Sequence, residues 1–136
     1  MMTTTEETNL AIVRAYLDAI QTGKAAEAFS QFFAEDVRQI ELPNHLNPNG
    51  QESDLASLRK RSEQGSKVLR QQRYEIVSEL AQDNRVAVEA LWTGVLAIPL
   101  GTLAAGAEME AHFAMFFEMR DEKIVLQRNY DCFEAW

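Results

Sequence analysis

The stretch that decides the fold is residues 107–136, AEMEAHFAMFFEMRDEKIVLQRNYDCFEAW. It contains neither proline nor glycine, and it is rich in aromatic side chains, which favour strands over helices. The polar residues 120–123 interrupt it near the middle and predict a tight turn. We therefore predict two long antiparallel strands in a hairpin, against which the rest of the chain packs.

The chain before this hairpin divides into helices followed by strands. Apolar periodicity predicts a helix at residues 6–22, and a short helix rich in phenylalanine is predicted at residues 24–33. A third helix, mostly polar, is predicted at residues 52–70 as a lid or flank. Alternating side chains predict strands at residues 37–42, 74–80 and 85–98. This order predicts an α+β domain spanning residues 1–136, in which a curved antiparallel sheet wraps around three N-terminal helices. We expect residues 1–5 to be disordered.

Composition excludes several classes of function. Thirteen basic and 21 acidic residues give a net charge of −8, which repels phosphate backbones and anionic lipids. We therefore expect no nucleic-acid partner and no membrane association. The single cysteine excludes an internal disulfide, and neither a signal peptide nor an apolar run of about 18 residues is present. These features predict a cytoplasmic protein.

No pattern in the chain indicates a metal or a cofactor. The two histidines, His45 and His112, lack the spacing of a metal site. A glycine-rich phosphate loop and a G-x-S-x-G elbow are both absent from the sequence. The basic run Arg59-Lys60-Arg61 is most simply interpreted as a solvated helix face. We therefore predict no metal and no cofactor.

Three segments carry a resemblance to a known family. They are FAEDV at residues 33–37, PLGTLAAGAEME at 99–110 and DEKIVLQRNYDCFEAW at 121–136. In their order and spacing, the chain resembles the nuclear transport factor 2-like superfamily and its SnoaL-like branch. The resemblance implies a cone-shaped α+β fold with a pocket inside the cone and often a homodimer. Its members include ketosteroid isomerases, polyketide cyclases and non-catalytic proteins, so it does not settle function.

The resemblance implies a catalytic pair on the first helix and first strand. Tyr16 matches the tyrosine that donates a hydrogen bond to an oxyanion in ketosteroid isomerases. Glu41 matches their base, and we expect burial beside an apolar cavity to raise its pKa. The alternatives are a core tyrosine and a solvated strand-end carboxylate. The isomerases' second acid falls at Met115, which cannot donate that hydrogen bond.

The last strand has two possible orientations. Hydrophobicity alone would bury Ile124, Leu126 and Tyr130, whereas the resemblance turns Gln127, Asn129 and Asp131 into the cone. Both hold if a partner subunit covers the outer face, which predicts a homodimer. Asn129 stands where related hydrolases and cyclases carry an aspartate. It can orient a ligand or a water, and Asp131 is the residue that could take the proton, unless it is a surface acid.

The implied pocket is lined by polar and apolar side chains. The candidates for ligand binding are Gln39, His45, Trp92, Phe113, Met115, Phe117 and Gln127. The alternatives are an exposed loop histidine and a plain aromatic core. We predict a SnoaL-like protein that binds a small, mostly apolar molecule. The chemistry expected of it is isomerisation, aldol-type cyclisation or dehydration, with Glu41 as base. A non-catalytic binding or dimeric interaction module stays open, and so does enzyme status.

Overall fold

The computed structural model describes the backbone of residues 1–136 and every side chain except that of Glu27. The helices of the described backbone are α1 (Thr4–Gln21), α2 (Ala25–Phe32) and α3 (Leu55–Val68). The strands are β1 (Phe33–Glu41), β2 (Gln51–Ser53), β3 (Leu69–Gln82), β4 (Arg85–Leu96), β5 (Glu108–Arg120) and β6 (Lys123–Phe133). They form a curved sheet in the order β2-β1-β6-β5-β4-β3, which confirms the predicted α+β class.

The predicted hairpin is the centre of this sheet. β5 and β6 pair antiparallel, and the turn between them places Asp121 and Glu122 at positive φ angles of 50° and 62°. Alternate residues of β5 are buried on the concave face, namely Met109, Ala111, Phe113, Met115, Phe117 and Met119. Their period of two is that of a strand with one face on the core.

One strand pair differs from the predicted antiparallel pattern. β1 runs parallel to β6, with Gln39 beside Gln127 and Glu41 beside Asn129. Parallel neighbours need a long connection, and here the connection is all of the chain between β1 and β6. The short strand β2 was also not predicted, because three residues are too few to show a period. It pairs with β1 and occupies the start of the segment predicted as the third helix.

Helix α1 is fixed by its cap and by its apolar stripe. The Thr3 side chain accepts from the Glu6 backbone N–H and the Glu6 side chain accepts from the Thr3 backbone, a capping box. The helix therefore begins at Thr4, within the segment 1–5 that was expected to be disordered. Its buried face packs on the sheet through Leu10, Val13, Tyr16 and Leu17. None of the described helices is long and apolar enough to cross a membrane.

Strand β6 combines the two orientations considered from the sequence. Gln127 is buried, Asn129 and Asp131 are half-buried, and Tyr130 is exposed on the convex face. A register shift near Glu118 also turns Ile124 into the core. The orientation implied by the resemblance therefore holds for the second half of the strand, and a local irregularity accounts for the buried apolar residue of the first half.

Candidate functional site

A cavity of about 680 Å³ lies between the concave face of the sheet and the three helices. Its size suits a small organic ligand. One part of the lining is aromatic and is formed by Tyr74, Trp92, Phe113 and Phe133. Another part is polar and is formed by Gln39, Glu41, Arg61, Asn129 and Asp131. We call these two parts the aromatic wall and the polar wall.

The aromatic wall is held rigidly by packing. The rings of Trp92 and Phe113 stack with centroids 5.4 Å apart, and Phe133 meets both rings edge-on. The Trp92 indole N–H donates to Gln72 Oε1 at 3.0 Å. Gly94 leaves the space that the indole needs, since a Cβ there would lie 2.5 Å from Trp92 Cη2. The wall therefore offers a flat, preformed apolar surface.

Glu41 lies at one end of the polar wall and is surrounded by donors. Its carboxylate accepts hydrogen bonds from the side-chain amides of Asn44 and Asn47 and from Arg61 Nη2 at 3.0 Å. Burial raises the pKa of Glu41, but these hydrogen bonds and the Arg61 charge together outweigh it, so its pKa lies below the usual value. The predicted rise in the Glu41 pKa is therefore wrong.

Arg61 is a site residue that the sequence analysis missed. It was interpreted as part of a solvated helix face, yet only 28% of its side chain is exposed. Besides Glu41, it donates to Ser53 Oγ at 3.1 Å and to Gln39 Oε1 at 3.4 Å. The sequence contained a signal, because the apolar Leu58 lies three residues earlier and residues at i and i+3 share a helix face. The structure buries Leu58.

Asp131 has the opposite surroundings from Glu41. Its Oδ1 atom is buried and has no hydrogen-bond partner among the described residues. Burial raises the pKa of Asp131 to about 7; the negative charge of Glu41 adds to this rise and the positive charge of Arg61 opposes it. Its neighbour across the β5–β6 ladder is Phe113, a member of the aromatic wall. The cavity therefore contains one carboxyl group that titrates near neutral pH.

Tyr16 reaches the same cavity from α1. Its ring packs edge-on against Phe33 and Phe117, and its hydroxyl lies beside the side-chain amides of Gln39 and Gln127. Burial raises the pKa of Tyr16 to about 12, although the two amides partly offset the rise. The phenol therefore stays protonated and can donate a hydrogen bond.

The structure brings most of the predicted site residues together. Tyr16, Gln39, Glu41, Trp92, Phe113, Asn129 and Asp131 all line the cavity. Four predicted ligand-binding residues do not: His45, Met115, Phe117 and Gln127.

The side chains of these four residues make contacts outside the cavity lining. Met115 and Phe117 lie farther along β5, where the space over the sheet is filled by the core around Tyr16. Gln127 is hydrogen-bonded to Gln39 and Asn129 beneath the lining. His45 packs edge-on against Trp136, with ring centroids 4.2 Å apart. Among the described residues, no three His, Cys, Asp or Glu side chains lie close enough to hold a metal ion.

Comparison with known proteins gives the family. Residues 13–127 match the SnoaL-like domain. A candidate SnoaL-like polyketide cyclase from Jannaschia sp. is 15% identical, with a TM-score of 0.78 over 96% of this chain and 90% of that one. A candidate polyketide cyclase from Xanthomonas campestris is 23% identical, with a TM-score of 0.74 over 93% and 92%.

A protein described as NTF2-like from Burkholderia xenovorans is 20% identical, with a TM-score of 0.70 over 93% of this chain and 90% of that one. No curated protein matches the chain significantly. At these identities the solved structures establish a shared fold, and the domain match covers most of the chain. The chain therefore belongs to the SnoaL-like domain family.

Proposed function

We propose that the cavity binds a small, mostly apolar carbonyl compound and that Asp131 removes a proton from the carbon next to the carbonyl group. The observation that carries this proposal is that Asp131 lines the same cavity as the aromatic wall and has one buried oxygen without a hydrogen-bond partner among the described residues. Isomerisation, aldol-type cyclisation and dehydration all begin with such a proton transfer. The structural similarity to candidate polyketide cyclases supports this class of chemistry.

The surroundings of the two carboxylates favour Asp131 over Glu41 as the base. A general base works best when its pKa lies near the working pH, and the pKa of Asp131 is about 7. Glu41 has a lowered pKa and its oxygens already accept hydrogen bonds from three side chains. Glu41 instead keeps a fixed negative charge near Asp131, which helps to hold the Asp131 pKa high.

The remaining cavity residues suit the roles of binding and orientation. The aromatic wall can hold the flat apolar part of the ligand, while the protonated phenol of Tyr16 and the side-chain amide of Asn129 can bind polar atoms. An enolate formed by Asp131 needs such donors, because the negative charge develops on the carbonyl oxygen. None of these steps requires a cofactor.

Deuterium exchange at carbon tests the proposed proton transfer directly, whatever product the reaction forms. Ketones that contain an aromatic ring system, such as 2-tetralone and 2-acetylnaphthalene, are incubated with protein in D₂O, and deuterium uptake at the α-carbon is followed by mass spectrometry. We expect exchange with the wild type and a loss of about 10³-fold in Asp131→Asn, the size of a general-base contribution. Glu41→Gln should keep exchange within about tenfold of wild type, because its effect is indirect.

Two outcomes would contradict the assignment. Full exchange in Asp131→Asn would show that Asp131 is not the base, and loss only in Glu41→Gln would return that role to Glu41. Ketones that bind by calorimetry but never exchange would favour the alternative function, a non-catalytic binding module. That alternative is supported by Met115, which stands where the isomerases carry their second acid and is buried beneath the lining.

We also propose that two copies of the chain pair through the convex face of the sheet. Phe116 and Tyr130 are 41% and 43% exposed there, with ring centroids 5.7 Å apart. Exposed aromatic pairs of this kind are typical of subunit contacts. Light scattering at micromolar concentration should give a dimer for the wild type and a monomer for Phe116→Glu. The control Val77→Glu, at an exposed position on edge strand β3, should stay dimeric; a monomeric wild type would overturn the proposal.

A further inference from the structure

A continuous series of hydrogen bonds runs through the polar wall. Arg61 Nη1 donates to Gln39 Oε1 at 3.4 Å, and Gln39 Nε2 donates to Gln127 Oε1 at 3.0 Å. Gln127 Nε2 then donates to Asn129 Oδ1 at 2.9 Å. The two glutamines are buried, so water cannot easily replace these partners. We call Gln39, Gln127 and Asn129 the amide relay.

The direction of this series follows from the chemistry of its first member. A guanidinium group can only donate hydrogen bonds, so Gln39 must turn its oxygen toward Arg61. Its amide nitrogen then faces Gln127, which must present an oxygen and is left with its own nitrogen for Asn129. In the reverse arrangement, the Arg61 N–H would face the NH₂ group of the buried Gln39, so that two donors would oppose each other without an acceptor.

The last amide of the relay ends in the cavity. Because the Asn129 oxygen accepts from Gln127, its NH₂ group is the part left to bind a ligand. Asn129 lines the cavity and lies two residues before Asp131 on the same face of β6. A donor and a proton acceptor therefore lie side by side, as a ketone and its enolate require.

We infer that Arg61 is a positioning residue that acts through Gln39 and Gln127 to hold the Asn129 N–H toward the carbonyl oxygen of the bound ligand. This inference rests on the proposed function and specifies its ligand further. A molecule that offers a hydrogen-bond acceptor beside its acidic C–H is favoured. A molecule of the same shape without that acceptor is disfavoured, because it leaves the Asn129 N–H unpaired.

Two probes of nearly identical shape test the polarity of the site. 2-Acetylnaphthalene has a C=O group where 2-isopropenylnaphthalene has C=CH₂, and both dissociation constants are measured by calorimetry. We expect the wild type to prefer the ketone. The preference is the dissociation constant of the hydrocarbon divided by that of the ketone. In Arg61→Met and in Gln127→Met this ratio should fall by about tenfold, the effect of one neutral hydrogen bond, because the Asn129 side chain is then free to turn.

Two control variants separate the relay from general effects on folding. Arg59→Met lies on the same helix, but Arg59 bonds Ser30 outside the cavity, so the ratio should not change. Arg61→Lys keeps a group that only donates, so it should retain most of the preference. Since both constants are measured on the same protein, partial loss of folded material cancels in their ratio.

The outcomes distinguish this inference from the proposed function. An unchanged ratio in Arg61→Met and Gln127→Met would overturn the relay even if deuterium exchange still depends on Asp131. The ratio could also change as expected although the wild type never exchanges the ketone's α-protons. That result would support the relay and contradict only the proposed catalysis. If neither probe binds the wild type, or if it shows no preference for the ketone, the inference fails.

Discussion

The cavity contains two carboxylates in opposite environments. At one end Glu41 is surrounded by Arg61 and two asparagines, and its pKa is lowered. At the other end Asp131 lacks a partner for one buried oxygen, and its pKa rises to about 7. Burial raises the pKa at both positions, so the difference comes from the donors present at one and missing at the other. Position in a cavity therefore does not by itself make a carboxylate a base.

The same difference separates stability from reactivity. Fixed donors stabilise a carboxylate in its charged form, which leaves it little tendency to take a proton. A carboxylate without donors is costly to bury, and groups of this kind cluster at functional sites. The Glu41 end is therefore expected to contribute to folding and the Asp131 end to reduce stability in exchange for function.

The largest effect on stability is expected at the Glu41 end. Arg61→Met leaves the Glu41 carboxylate without its cation and should lower the free energy of unfolding by about 3 kcal/mol, measured by urea denaturation at neutral pH. Because the pKa of Glu41 is lowered on folding from 4.5, this contribution is present above pH 4.5 and is lost as pH falls through the folded pKa. The difference in free energy of unfolding between the wild type and Arg61→Met should therefore become smaller in acid.

A double substitution provides the control for this effect. In Arg61→Met combined with Glu41→Gln, the uncompensated charge is gone, so part of the lost stability should return. If the double variant is as unstable as the sum of the two single variants, the charge pair is not the cause, and the contrast between the two ends of the cavity is weakened.

At the Asp131 end, removal of the charge should stabilise the protein instead of destabilising it. A carboxyl group whose folded pKa is raised stabilises the fold fully below its unfolded pKa, near 3.8, and this stability is lost as pH rises to about 7. Asp131→Asn has no charge to bury, so at about pH 8 it should be more stable than wild type by about 2 kcal/mol. Toward about pH 4 the free energies of unfolding of the wild type and Asp131→Asn should become similar. A variant that is less stable at about pH 8 would contradict the raised pKa.

The smallest expected effect is the influence of one end on the other. Exchange of ketone α-protons by the wild type should fall below about pH 7, as Asp131 becomes protonated. Glu41→Gln removes a nearby negative charge, so this fall should move to lower pH by about half a unit. The pH–rate profiles of the two proteins measure the shift, and identical profiles would mean that the two carboxylates do not interact.

Local patterns predicted much of the fold and part of the site. The alternation in residues 107–136 follows the strand period directly, and it predicted the β5–β6 hairpin at the centre of the sheet. The resemblance to a known family identified Tyr16, Glu41, Asn129 and Asp131, and the structure brings all four to the cavity lining.

The features that the sequence did not predict depend on contacts between distant residues. The lowered pKa of Glu41 requires Asn44, Asn47 and Arg61 to lie around its carboxylate. Periodic patterns in the sequence do not predict such contacts between different elements. The parallel pairing of β1 with β6 was missed for the same reason. Arg61 itself was obscured by its basic neighbours, because a short charged run usually faces solvent.

The parallel pairing of β1 with β6 also determines when the site can form. Gln39 and Gln127 are 88 residues apart in the chain, so their hydrogen bond closes one of the longest loops in the protein. Contacts of such high sequence separation form slowly, and on the ribosome β6 emerges after all the other strands of the sheet. During synthesis the helices and the β3–β4 hairpin can assemble first, whereas the polar wall has to wait for the final strand. The binding site should therefore appear only at the end of folding.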